Sequence, residues 1–319
     1  MAVTRAAVVQ ASTTPFDSAG AIERVRQWAI RAADAGAAIA VFPEAFVGGY
    51  PKGSNFGAAV GHRSARGRDE YLRYVNGAIR IPGPGTDELG EIARRNHLHL
   101  IVGVIERGGA TLYCSAVHLG PDGSLLGTRR KLMPTASERL VWGCGDGSTL
   151  TVQQTEVGRI GALLCWENLM PAARMAMYEL GIQIYCAPTA VDLDGHHATM
   201  RHIAQEGRCF VLAANQVMRV RDFPEDHPRA FGDDPDTVVS NGGSSIVDPM
   251  GRVLAGPIYG EEALLVADLD LDEIVRTKYD FDVVGHYSRP DVFQVLVNRS
   301  PQPGVSFIDR RDEVGQGAS

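Results

Sequence analysis

Short apolar runs alternate with amphipathic stretches along this chain, and turn residues separate them. Ala6–Val9 reads as a strand, 19–35 as a helix closed by Gly36, and 38–42 as a second strand. A long glycine-rich excursion, 48–85, follows, a length that inside a compact domain points to a lid or an interface element. A helix is predicted from near Thr86, then strands at 99–106, 111–119 and 125–130. The turn Pro121-Asp122-Gly123-Ser124 joins the last two, which makes them antiparallel and the sheet mixed. Further on, 160–164 reads as a strand leading through Asn168-Leu169-Met170-Pro171 into a helix over 172–180, with proline in its first turn. The pattern helix, glycine, strand, proline occurs twice, at 35–45 and 180–190, which suggests that Glu44 and Thr189 end equivalent strands in two halves of one fold. The class is α/β, read as a single domain over 1–299 with a short tail, 300–319, rich in Pro, Gly and mixed charge.

Composition narrows the partners. A chain of 319 residues, 45% hydrophobic and 22% charged, can bury a large core. The net charge of -7 and the scattered Lys and Arg argue against nucleic acid. No run approaches the roughly 18 apolar residues of a membrane helix, and the N-terminus reads as a strand rather than a signal peptide. Five cysteines with no CxxC pair suit a reducing compartment, so a cytoplasmic location is expected. Of these, Cys114, Cys186 and Cys209 lie in strand-like runs and read as buried small hydrophobes, whereas Cys144, between glycines, is the exposed one.

Three apolar runs end in reactive groups. Gly161-Ala162-Leu163-Leu164 delivers Cys165 to a strand-to-helix junction, where amide groups are expected to favour a thiolate and to bind a developing anion. Ala40-Val41-Phe42-Pro43 delivers Glu44, and Arg129-Arg130 delivers Lys131. Each alone is an ordinary feature. Together they supply a thiol, a carboxylate and a cation, each where a strand leaves its sheet, and catalytic groups collect there. No metal-ligand spacing appears: His196, His197 and His202 lack the i, i+4 arrangement of a helical pair, and His202 reads as a core or hydrogen-bonded residue.

These segments resemble the nitrilase superfamily of carbon–nitrogen hydrolases over nearly the whole chain, and most closely its nitrilase branch. The matching blocks are Phe42-Pro43-Glu44-Ala45-Phe46, Gly48-Gly49-Tyr50-Pro51, Arg130-Lys131-Leu132-Met133-Pro134-Thr135, Glu138-Arg139, Trp142-Gly143 with Gly145-Asp146-Gly147-Ser148, Cys165-Trp166-Glu167-Asn168, His202-Ile203-Ala204 with Glu206-Gly207-Arg208, and Gly285-His286-Tyr287-Ser288-Arg289-Pro290. The resemblance implies a four-layer αββα sandwich with mixed sheets, no organic cofactor or metal, and a homo-oligomer built from dimers, possible filaments included. It also implies hydrolysis of an organic nitrile to the acid and ammonia through a Cys165 thioimidate and thioester, with Glu44 as general base. Lys131 and the Trp166 backbone N–H would stabilise the tetrahedral centres, and Glu138 would orient substrate or Lys131. Tyr50, Thr135, Trp142, Trp166, Pro188 and Thr189 would line an apolar, partly aromatic pocket for an uncharged nitrile. The alternatives are an amide hydrolase of the same superfamily and a non-catalytic assembly or binding module. The chain departs from many nitrilases at 194–202, Asp194-Gly195-His196-His197-Ala198-Thr199-Met200-Arg201-His202, and in its short tail.

Overall fold

The computed structural model describes residues 3–190 and 195–306. In chain order the elements are β1 (Val3–Gln10), α1 (Ser18–Asp34), β2 (Ile39–Val41), α2 (Ala65–Asn76), α3 (Pro84–Asn96), β3 (His99–Gly108), β4 (Thr111–Leu119), β5 (Leu125–Arg130), β6 (Val152–Thr155), β7 (Gly158–Ala162), α4 (Pro171–Glu179), β8 (Ile184–Thr189), α5 (Gly195–Gly207), β9 (Phe210–Asn215), β10 (Val217–Arg219), β11 (Val238–Val247), β12 (Val253–Tyr259), β13 (Ala263–Asp270) and α6 (Asp272–Lys278). Local chemistry sets several ends. The Asp17 side chain accepts from Gly20 N at 2.9 Å and caps α1, Gly36 at φ +75° lets the chain turn away from it, and Pro84 and Pro171 open α3 and α4.

One sheet runs β13-β1-β2-β3-β4-β5; the other runs β10-β11-β9-β8-β7-β6, with β12 also on β11. In each, three parallel strands (β1, β2, β3 and β7, β8, β9) are flanked by antiparallel neighbours. β2 and β8 therefore hold equivalent central places, the relation that the repeated helix-glycine-strand-proline pattern suggests. Alternate residues explain the layers. Val8, Ile39, Val41 and Ile101 face Ile160, Ile184, Phe210 and Leu212 across the sheet–sheet interface. Their neighbours Ala7, Val9, Ala40 and Phe42 face the opposite way, against Ile22, Val25 and Leu89 of α1 and α3. The outer face of the second sheet packs on Met177, Met200 and Ile203 of α4 and α5. Strands covered on both faces must be apolar throughout, which is why the central runs show no polar alternation. The result is the αββα sandwich.

The excursion 48–85 is not structureless: it contains α2, whose buried residues are only Gly67, Tyr74 and Val75, too sparse a stripe to show as helical periodicity. β7 begins earlier than the sequence suggests and stops at Ala162, and Cys209 precedes β9 rather than lying within a strand, although it is fully buried. Residues 301–306 of the tail have no regular structure, and 307–319 lie outside the described residues, as do Asp194 and the first two residues of the N-terminal strand.

Candidate active site

Glu44 stands at the end of β2, between the two sheets. Beyond Phe42, which is still paired to Ile101 O, the backbone leaves β2 and rejoins β3 at Val47, whose N–H donates to Gly103 O at 3.0 Å. That detour presses Pro43 and Glu44 onto Gly103, where a Cβ would stand 2.1 Å from Pro43 O and 2.7 Å from Glu44 Cα, so only glycine fits. From the second sheet, Gln216 Nε2 donates to Glu44 O at 2.8 Å. The Glu44 side chain is completely buried.

Lys131 follows β5, its N–H held by Cys114 O at 2.8 Å. Its Nζ donates to Glu44 Oε1 at 2.7 Å and to Glu138 Oε2 at 2.7 Å, and it lies 5.5 Å from the centre of the Trp142 ring. Glu138 sits on a single 3-10 turn, Ala136–Leu140, and is fixed from two further sides: Thr135 N–H donates to Oε2 at 2.6 Å and Tyr50 OH to Oε1 at 2.7 Å. Tyr50 meets Trp142 edge-on at 5.5 Å, and Trp142 Nε1 donates to Tyr74 OH of α2 at 3.2 Å.

Cys165 has φ +52°, a left-handed conformation that non-glycine residues avoid, at the start of the turn Cys165–Leu169. The surroundings hold it there. Asn168 Nδ2 donates to Cys165 O at 2.7 Å, and Tyr185 OH donates to Asn168 Oδ1 at 2.7 Å. Glu167 accepts from Leu164 N at 2.8 Å, from Leu132 N at 2.5 Å and from Arg129 Nη2 at 2.6 Å, so one buried carboxylate ties the cysteine turn to the segment that carries Lys131. The Thr189 hydroxyl, at the end of β8, hydrogen-bonds the Cys165 side chain. Cys165 Sγ and one carboxylate oxygen each from Glu44 and Glu138 lie within 4.8 Å of one another.

Burial sets the proton inventory. It pushes the Cys165 thiol well above its ordinary range, with the Glu44 charge adding to the effect, so the resting group is the neutral thiol rather than the thiolate expected at a strand-to-helix junction. Burial likewise raises Glu44 above an ordinary carboxylate, against the opposing pull of Lys131, and the Glu138 charge raises it further. Desolvation works against the charged Lys131, but the Glu44 and Glu138 carboxylates beside it more than offset it, and the ammonium stays charged. Glu44, Glu138 and Cys165 have the donor types to hold a metal, but the Lys131 ammonium already occupies the place between the carboxylates that a cation would take.

Of the remaining pocket residues read from the sequence, Trp142 and Pro188 are buried, Tyr50 and Thr135 are half-buried, and Thr135 contributes its backbone N–H. Trp166 is 43% exposed at the elbow. His202 is not in the core: it is exposed, 3.5 Å from Glu206 one turn along α5. Sequence reasoning passed over Cys114, whose Sγ donates to Glu44 Oε1 at 3.3 Å, and also Gln216, Arg129 and Tyr74. Nothing local marks them. Glu167 stood inside a quoted block without a role.

The chain is similar to known proteins over most of its length. Residues 5–279 match the family model "Carbon-nitrogen hydrolase". The chain is 55% identical over 301 residues to an aliphatic nitrilase of Sinorhizobium fredii, covering 94% of this chain and 97% of the relative. It is 52% identical over 315 residues to a bifunctional nitrilase/nitrile hydratase of Lupinus angustifolius, covering 97% and 90%. Among solved structures, a Saccharomyces cerevisiae member of branch 10 of the nitrilase superfamily matches with TM-score 0.69 at 20% identity, covering 89% of this chain and 96% of that one. An amidase from Nesterenkonia sp. matches with TM-score 0.64 at 22% identity, covering 87% and 94%. At such identities these two speak for the fold.

Proposed function

The chain belongs to the carbon–nitrogen hydrolase family, and from that premise we propose that it is a nitrilase, hydrolysing an organic nitrile to the carboxylic acid and ammonia. The observation that carries the reading is the buried contact set of Glu44, Lys131, Glu138 and Cys165 in a chain about half identical to nitrilases over nearly its full length.

The chemistry follows from the proton inventory. A nitrile carbon is a weak electrophile and needs a strong nucleophile, yet Cys165 rests as a thiol. Glu44 takes the thiol proton as the S–C bond forms and passes it to the nitrile nitrogen, giving the thioimidate. Water then adds, its two protons passing in turn through Glu44 to the nitrogen as the C=O forms, and ammonia leaves a thioester. A second water, activated in the same way, releases the acid and restores the thiol. Lys131 and the Trp166 backbone N–H stabilise the tetrahedral centres, a role worth about 3–4 kcal/mol per donor in well-formed oxyanion holes. Glu138 holds Lys131 between two carboxylates. If the tetrahedral centre expels the thiol instead of ammonia, the product is the amide; the lupin relative's two-activity name supports a minor flux through this branch.

The aromatic and apolar surroundings (Tyr50, Trp142, Pro188), together with the aliphatic nitrilase among the relatives, favour uncharged aliphatic or arylaliphatic nitriles. Residues 1–299 act as one catalytic unit in the cytoplasm. No helix among the described residues is long and apolar enough to cross a membrane. Dimers form through the outer helices, which the exposed Val292, Phe293, Val295 and Leu296 beside them support. A monomer with full activity in size-exclusion chromatography argues against that assembly.

The test is ammonia release from a panel of nitriles, each paired with its amide, by wild type and Cys165→Ala. Release from nitriles that vanishes in the variant is expected. Release from amides alone makes the protein an amide hydrolase, and silence on both favours a binding role.

A further inference from the structure

A second cysteine sits inside the site, and the chemistry above makes no use of it. Cys114 is buried on β4, paired across to Ile105 of β3, and its Sγ donates to Glu44 Oε1 at 3.3 Å. The same oxygen accepts Lys131 Nζ at 2.7 Å. The other oxygen, Oε2, is buried and has no hydrogen-bond partner among the described residues. The Cys114 carbonyl also holds Lys131 N–H at 2.8 Å, so one residue touches both the carboxylate and the lysine segment.

We propose that Cys114 is a positioning residue that fixes the plane of the Glu44 carboxylate, its thiol and Lys131 together occupying Oε1 so that Oε2 is left to exchange the proton of Cys165. The inference rests on the nitrilase reading of the site. A carboxylate with one donor can rotate about that contact; a second donor to the same oxygen from a different strand stops it. An orphaned buried oxygen is costly in a merely structural carboxylate but is what a general base requires. Burial and the Glu44 charge keep Cys114 protonated, so it remains a donor and does not compete as a nucleophile.

The test compares Cys114→Ala and Cys114→Ser with wild type, with Cys209→Ala, an equally buried thiol in the layer of α4 and α5, as the packing control. Two profiles are read against pH: ammonia release from nitriles, and alkylation of Cys165 by iodoacetamide followed by peptide mass, which needs no substrate turnover. Cys114→Ala is expected to lower kcat about five- to tenfold with KM little changed, as for loss of one hydrogen bond of ordinary strength, a thiol being a weak donor. It also raises the acid limb of both profiles by roughly half to one pH unit, since the carboxylate has lost a donor. Serine retains a donor and is expected to return both profiles to or below the wild-type limb; Cys209→Ala leaves them in place. An acid limb unmoved in Cys114→Ala, or a serine variant no better than alanine, overturns the proposal. If wild type turns over no nitrile the nitrilase reading fails, while the alkylation profiles still decide the role of Cys114.

Discussion

Replacing Glu167 by Gln removes one charge and almost no volume from the joint between the two catalytic segments. The carboxylate is fully buried and its partner Arg129 nearly so, at 6% exposed. Oε1 accepts from the Arg129 guanidinium and Leu132 N–H, and Oε2 from Leu164 N–H. A carboxamide has one acceptor oxygen, so in either orientation its NH2 faces a donor, and Arg129 is left without a counter-charge. Breaking a buried ion pair from one side costs about 3–5 kcal/mol. The hydrogen bond that the amide oxygen keeps returns about 1 kcal/mol. The net expectation is a loss of about 3 kcal/mol, or roughly 4–5 °C in Tm for a chain of this size. Catalysis suffers as well, because Lys131 lies two residues from Arg129 and Cys165 two residues from Glu167. A displacement on the order of 1 Å between them lowers kcat by about a hundredfold. Urea unfolding and ammonia release from a good nitrile measure the two effects, and a cycle with Arg129→Met is expected to give a coupling of about 2 kcal/mol. A Glu167→Gln protein within about 1 kcal/mol of wild-type stability, with kcat close to wild type, would refute the idea that this carboxylate locks the site.

Three further outcomes follow from the same geometry. Since burial raises Glu44, the acid limb of kcat/KM is expected above an ordinary carboxylate value, with Glu44→Gln slower by about a thousandfold; a limb near 4.5 would show that the base is not so desolvated. Gly103→Ala drives a Cβ into Pro43 O and Glu44 Cα and is expected to cost about 1–3 kcal/mol in unfolding experiments while lowering kcat; normal activity would mean that β3 yields more than its central position suggests. Away from the site, His118 is buried against His99 (3.1 Å), which in turn meets Glu156 (2.9 Å), and burial followed by the His99 charge holds His118 down at about 3. The unfolded chain then binds the extra proton between about pH 6.5 and 3, so stability falls as pH drops through that window, by up to about 1.4 kcal/mol per pH unit. Denaturant midpoints for His118→Asn should show a shallower fall, and an unchanged slope would assign the acid sensitivity elsewhere.

Local regularities carry a good deal of this protein in the sequence. Runs such as Ala6–Val9 and Ala40–Phe42 are apolar without alternation because both faces of a central strand are covered, so the α/β class could be read from them directly. Cys165, Glu44 and Lys131 were visible because each ends such a run, and the ordered blocks around them pointed to the family. The sequence misled where its signal is thin: α2 buries too few residues to show a period, and His202 lies outside the core, exposed beside Glu206.

Contact and charge state belong to the tertiary structure. Lys131 is 87 residues from Glu44, Cys114 is 70 and Gln216 is 172, and no periodicity reaches across such separations. They meet because two sheets pack face to face and bring the ends of β2, β4, β5 and β9 to one buried spot. The same packing sets the proton state of the nucleophile. The sequence showed the junction amides that favour a thiolate, but the degree of desolvation is a property of the volume surrounding the sulfur, and with Glu44 beside it that volume keeps the proton on Cys165 until a substrate arrives.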